Sequence, residues 1–255
     1  MFRKTLLVLF LIINFAEAKI VSINTKDNTE LKFDLIKPKN NEPDASLILF
    51  AGGGGYLKMD KEKWKKKGNF LVRTRKIFRD NNFAVAVVDA PSEYRTNLGM
   101  PAHFRTSQKH LEDTEAVIEF MKNKFKKPIW IIGTSRGTLS ASHIAINSKN
   151  INGLVLSASI TDYNKRGDLK PITTLDLDKI KVPTLIVHHK MDGCYVSNPY
   201  GAQKIFERLK TTKKEIKIFK GGLEKNNPCK GHSYHGFYKI EEDVISYISN
   251  FIKEN

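Results

Sequence analysis

The chain has 255 residues, of which 43 are Lys or Arg, 27 are Asp or Glu and two are Cys. That length supports one full hydrophobic core, and the absence of any repeat, low-complexity block or Pro/Gly/Ser-rich linker excludes a fibrous or disordered chain. A net charge of +16 would suit nucleic acid or an anionic surface, but the lysine-rich segments 61–67, 122–127 and 210–220 fall on many different faces and no nucleic-acid motif accompanies them, so the reading is solvated lysine and no nucleic-acid partner.

The first residues read as a leader. Arg3 and Lys4 give a basic start, residues 5–13 are almost wholly apolar, and Ala16-Glu17-Ala18 supplies a small-x-small cleavage pattern. The apolar run is about half of the roughly 20 residues that span a bilayer, which favours a signal peptide over residues 1–18; a retained anchor is the alternative. Residues 19–255 are then expected to form a single domain, periplasmic or secreted, with no transmembrane segment. Export also bears on the cysteines, since an even number in an oxidising compartment favours a bond, here between Cys194 and Cys229. Two unrelated buried thiols are the alternative.

Along the rest of the chain, short apolar runs alternate with helical patterns. Residues 31–36 alternate and predict an early strand at an antiparallel edge. Runs at 46–50, 83–88, 129–132, 154–157, 184–188 and 216–219 predict further strands, and those that are nearly all apolar suit a parallel sheet covered on both faces. Helical spacing fills 106–125, 137–146, 199–209 and 241–252. This alternation predicts an α/β fold with a doubly wound, mostly parallel sheet.

Gly133-Thr134-Ser135-Arg136-Gly137 sits between the apolar run at 129–132 and the helical pattern that opens at Gly137. G-x-S-x-G alone is a weak signal, but strand–turn–helix is the setting a nucleophile elbow requires. The following N–H, from Arg136, lies at a helix N-terminus where it can receive an oxyanion. On these residues the chain resembles the α/β-hydrolase superfamily over roughly residues 30–255, which implies helices on both faces of the sheet and a Ser–acid–His triad. The competing reading of Ser135 is a serine capping an ordinary strand–helix turn.

A serine hydroxyl needs a base, and the base needs an orienting carboxylate. The resemblance implies the chain order Ser, acid, His, which Asp192, just past the run at 184–188, and His235, before Gly236-Phe237, satisfy. Asp162 is the runner-up acid, with Asp168, Asp176 and Asp178 behind it, and His232 is either the base or a substrate contact. Some exported hydrolases similar to this chain pair a Cys just after the acid with one just before His-Gly-Phe, and Cys194 and Cys229 match that pattern. The resemblance also implies a second oxyanion donor in the loop after the run at 46–50, where Gly53 or Gly54 of the four-glycine stretch is expected. A phosphate loop is the rival there, but its Gly-Lys-Ser/Thr ending is absent.

Arg105 is a candidate to hold a substrate carboxylate, against a plainer surface-loop reading. His110 and Asp113, at i and i+3, are expected on a helix surface, and His143 is expected to pack. Residues 160–181 are too few for a cap domain, so a minimal lid is expected. His188, His189, Asp192 and His232 could in principle gather around a metal, but no H-E-x-x-H or paired-Cys spacing appears, and neither metal nor cofactor is expected. The expectation is an exported serine hydrolase acting on a small-molecule carboxylic ester, with the basic surface favouring an anionic one. An amidase, peptidase, acyltransferase or non-catalytic envelope binding protein would share the fold.

Overall fold

The computed structural model describes residues 18–25, 27–61, 68–225 and 227–255. Apart from Ala18, the expected leader lies outside them. Among the described residues eight strands form one sheet in the order β1-β2-β4-β3-β5-β6-β7-β8. These are β1 (Lys19–Asn24), β2 (Glu30–Ile36), β3 (Ala45–Phe50), β4 (Phe83–Val88), β5 (Ile129–Thr134), β6 (Gly153–Ser157), β7 (Thr184–His189) and β8 (Lys214–Phe219). From β4 to β8 every neighbouring pair is parallel, and β2 joins β1 and β4 antiparallel.

The helices are α1 (Phe70–Asp80), the single turn α2 (Ala102–Arg105), α3 (Gln108–Phe125), α4 (Gly137–Asn147), α5 (Pro199–Arg208) and α6 (Glu241–Glu254). They divide between two faces because strand side chains alternate. Ile48 and Phe50 of β3 face the layer of α3, α4 and α5, while Leu47 and Leu49 face that of α1 and α6. Strands β3 to β7 are buried throughout, which is why they read in sequence as unbroken apolar runs. The expected doubly wound sheet is therefore observed.

Three details differ from expectation. The strand at 31–36 is not the edge, because β1 covers it; KIVSIN carries polar residues on an exposed outer strand and gives little apolar signal. Helix α1 follows the lysine-rich segment; Phe70, Thr74 and Phe78 carry its buried stripe, and the Asn69 side chain accepts from the Val72 N–H at its start. His110 and Asp113 are both buried on α3. The segment after β6 folds down through two 3₁₀ turns, Ile172–Thr174 and Leu177–Lys179, burying Ile160, Ile172, Leu177 and Ile180 against the α4 side of the sheet. It packs as core rather than standing over the strand ends. No helix among the described residues is long and apolar enough to cross a membrane.

Candidate active site

Ser135 stands in the turn between β5 and α4 with φ of 51°. The left-handed region costs an L-residue roughly 1–2 kcal/mol, so packing must impose it. The flanking glycines do so by letting helix and sheet close up: a Cβ on Gly133 would lie 2.5 Å from the Gly137 carbonyl oxygen, and one on Gly137 would lie 2.1 Å from that of Phe50. The turn is closed by the Ser135 N–H donating to Ser157 at 3.0 Å and the Thr138 hydroxyl donating to the Ser135 carbonyl at 2.6 Å.

Asp192 lies in the tight turn after β7, where its N–H donates to the His189 carbonyl. It is 6 % exposed and densely bonded. Oδ1 accepts from the Cys194 N–H at 2.9 Å; Oδ2 accepts from Ser197 Oγ at 3.0 Å, from His235 Nδ1 at 2.8 Å and from His188 Nε2 at 3.2 Å. Burial would push this carboxyl up, but the bonds from His188 and His235 outweigh it and hold the group well below the usual carboxylate range.

Because Asp192 accepts at His235 Nδ1, that nitrogen carries a proton, and in the neutral ring the lone pair is then on Nε2. Nε2 is sealed from solvent without a hydrogen-bond partner, and the tautomer with a free Nε2 is the one that can act as a general base. His235 sits in the 3₁₀ turn Tyr234–Gly236 ahead of α6. Ser233 Oγ reaches the Pro228 and Lys230 carbonyls at 2.6 Å each, and Arg73 donates to the Gly236 carbonyl. Phe237 is fully buried between Phe70 and Phe219, at 4.9 and 6.1 Å between centroids. His189 stacks on Tyr234 at 4.7 Å. The Cys194–Cys229 disulfide joins the loops that carry Asp192 and His235.

Ser135 and His235 line one cleft of about 690 Å³, together with Gly52, Gly53, Asn69, Phe70, Lys230 and His232. Gly52 backs onto the serine, since a Cβ there would lie 2.9 Å from that of Ser135. Gly53 is exposed to the cleft with φ of 62°. Among the described residues no backbone acceptor takes the Gly53 or Arg136 N–H. Gly54 is turned away: its carbonyl accepts from the Met100 N–H at 2.7 Å, and it does not line the cleft. Of the two expected glycines, the geometry favours Gly53.

Arg105 departs from expectation. It is 0 % exposed, so neither the surface-loop reading nor direct contact with a substrate carboxylate fits. Its guanidinium donates to Ser140 Oγ at 2.9 Å, to the Gly53 carbonyl at 3.0 Å and to that of Ala51 at 3.4 Å, bracing the glycine loop from beneath. Asp89 holds the same loop further along, accepting from the Leu57, Met59 and Ala90 N–H groups. His232 lines the cleft beside Tyr238, its ring 5.0 Å away.

The rival acids lie elsewhere. Asp162 accepts from Thr161 and the Asn198 N–H, Asp168 is bound by Asn164, and Asp176 pairs with Lys179. His143 bonds the Ser107 carbonyl at 3.0 Å, tying α4 to the start of α3. Of the residues weighed as a metal set, His188 and Asp192 bond each other, while His189 Nε2 turns to the Gly221 carbonyl and His232 lies beside Tyr238. Among the described residues no group of three or more His, Cys, Asp or Glu could hold a metal ion. Sequence reasoning missed His188 and Ser197 as partners of Asp192. The spacing of His188 and Asp192 was visible, but only the turn brings them together.

No protein-family model and no curated protein matches the chain. Solved structures do. An esterase from Pyrococcus furiosus is 18 % identical, with 93 % of this chain and 92 % of that one covered and a TM-score of 0.66. An α/β serine hydrolase without a lid from Xanthomonas campestris is 13 % identical, with 95 % and 96 % covered and a TM-score of 0.61. A monoacylglycerol lipase from Paleococcus ferrophilus is 15 % identical, with 88 % and 98 % covered and a TM-score of 0.60. At such identities the likeness is one of fold, and that fold is the α/β-hydrolase fold.

Proposed function

We propose that this protein is an exported serine hydrolase that cleaves small carboxylic esters through an acyl-enzyme. The observation that carries the reading is the 2.8 Å bond from His235 Nδ1 to Asp192, which leaves Nε2 unpartnered and shielded from water in a residue that lines the same cleft as Ser135. His235 takes the Ser135 proton as Oγ attacks the carbonyl carbon, and Asp192 steadies the imidazolium that forms. The Arg136 and Gly53 N–H groups receive the oxyanion. The tetrahedral centre collapses by expelling the alcohol, which leaves with the proton from His235. Water, deprotonated by His235, then attacks the acyl-enzyme and releases the acid.

The low-lid segment leaves the site open, which suits small soluble esters, and two of the similar structures are an esterase and a lidless serine hydrolase. Export is supported by the basic, apolar and Ala-x-Ala pattern of residues 1–18 and by a disulfide suited to an oxidising compartment. Labelling with a fluorophosphonate tests the activated serine: wild type labels, and Ser135→Ala does not. Equal labelling of both would overturn the assignment.

A further inference from the structure

Two segments far apart in the chain meet in the wall of the Ser135 cleft. Gly68, Asn69 and Phe70 come from the start of α1, and Gly231, His235 and Gly236 come from the loop before α6. Their backbones touch: a Cβ on Gly231 would lie 1.5 Å from the Gly68 carbonyl oxygen, and one on Gly236 would lie 2.0 Å from that of Gly231. Such contacts bring the segments close but offer no side chain to interlock. The Phe70–Phe237 contact beside them is apolar and carries no direction.

Arg73 supplies the directional bonds. Its Nη1 donates to the Gly68 carbonyl at 2.9 Å, and its Nη2 donates to the Gly236 carbonyl. Nε and Nη2 both donate to Glu241 Oε1, at 3.0 and 2.9 Å, so every guanidinium nitrogen is used. Burial pulls the Arg73 pKa down, and Glu241 opposes that pull. Holding a guanidinium out of water is costly, and a cation in the opening turn of a helix opposes the helix dipole. The return lies in what the bonds connect. The same turn of α1 reaches Ser135 as well: a Cβ on Gly52 would lie 3.5 Å from Asn69 Nδ2 and 2.9 Å from the Ser135 Cβ. A path of contacts therefore runs from Ser135 through Gly52, Asn69 and Arg73 to Gly236, the neighbour of His235.

Resting on the serine-hydrolase reading, we propose that Arg73 is a positioning residue: by tying the Gly236 carbonyl to the start of α1 it fixes His235 relative to Ser135, and Glu241 holds the guanidinium in place. Arg73 acts through Gly236 and touches no reacting atom. His235 serves both acylation and deacylation, so loss of Arg73 should slow every ester by a similar factor. A residue that bound the acyl or alcohol arm would instead discriminate among esters.

The site of the guanidinium can be reached without entering the cleft. A separate cavity of about 470 Å³ is lined by Arg73, Thr74, Ile77 and Glu241, and by neither Ser135 nor His235. That access makes chemical rescue the test. Arg73→Ala is expected to lower kcat about 10- to 100-fold on each p-nitrophenyl ester from acetate to hexanoate, the range of lost charge-assisted hydrogen bonds. KM should stay within about threefold, since no substrate contact is removed. Methylguanidinium at millimolar concentration should restore part of kcat, and methylammonium should not, because it lacks the planar fork. Melting temperatures taken alongside keep every assay below unfolding. If Arg73→Ala does not fold, Arg73→Lys carries the test: it keeps the charge but not the fork, and kcat should fall about tenfold. Wild-type kcat in either folded variant would overturn the inference, reducing Arg73 to a brace for the fold and leaving the hydrolase reading standing. A loss that differs widely among the esters, or one that methylammonium relieves as well as methylguanidinium, would overturn it too. A wild-type protein that neither turns over an ester nor labels with fluorophosphonate would overturn the hydrolase reading itself.

Discussion

His188 Nε2 lies 3.2 Å from Asp192 Oδ2, the same oxygen that meets His235 at 2.8 Å. His188 is fully buried, and its Nε2 also faces the Ser197 carbonyl at 3.1 Å. With acceptors at both contacts, Nε2 carries the proton, and Nδ1 is left buried without a partner. Asp192 is thus held by a second histidine, one that is sealed from solvent and does not line the cleft. His188→Phe removes that donor and leaves the carboxylate to interact more strongly with His235. The acid limb of the kcat/KM profile should then move to higher pH, with kcat lowered about tenfold, the order of one lost hydrogen bond. An unmoved limb in a folded variant would show that His188 only fills space.

His235 and His232 both line the cleft, but only His235 touches Asp192. His235→Ala should therefore abolish turnover, while His232→Ala should retain kcat within about tenfold. Asp192→Asn should lower kcat by about 10⁴, the size seen when a triad base is left in the wrong tautomer. Initial rates on a single ester separate the three, and greater loss at His232 would exchange the roles of the histidines.

His110 gives the fold an acid sensitivity. Its ring lies between Phe50 and Phe104, 5.5 and 5.2 Å away between centroids, and Nε2 has no partner. Burial first, and then the charge of Arg105, pushes its pKa down from 6.5 to about 3. The unfolded chain gains this proton near pH 6.5 and the folded chain only near pH 3, so the unfolded state holds more protons in between. Stability is full above pH 6.5 and falls as pH drops toward 3. At about 1.4 kcal/mol per unit the loss reaches a few kcal/mol near pH 4. Urea unfolding at pH 7, 5.5 and 4.5 should show a shallower decline in His110→Phe than in wild type. Parallel declines would mean that His110 is protonated in the folded protein.

The Cys194–Cys229 bond spans 35 positions, for which chain-entropy estimates give roughly 3–4 kcal/mol. Reduction, or Cys194→Ser/Cys229→Ser, should lower Tm by about 10 °C in a domain of this size. Activity should fall as well, because the bond ties the loop of Asp192 to that of His235. A reductant that changes neither would show that the loops are held by their hydrogen bonds alone.

The sheet was legible where burial was complete. Residues 83–88 match β4 end to end, and the neighbouring strands differ by a residue or two, because a strand covered on both faces has no polar position to blur it. Strand β1 was not legible, since an exposed outer strand keeps polar residues. Ser135, Asp192 and His235 could be singled out from strand–turn–helix context and chain order. What packs beneath them could not: nothing in the sequence says that Arg105 reaches the Gly53 carbonyl, or that Ser197 and His188 turn onto Asp192. Those contacts join residues far apart in the chain or turn on the path of one loop, and local patterns carry no information about either. His110 was misread because a polar side chain enclosed by aromatic rings looks, in sequence, like one in water.

Hydrolysis of a p-nitrophenyl ester series by the purified protein and by Ser135→Ala tests the central claim most directly. Turnover by wild type, falling by about 10⁶ in the variant as expected when a triad acts as a unit, is the predicted result. Turnover that persists in Ser135→Ala, or none by wild type on any ester, would contradict it.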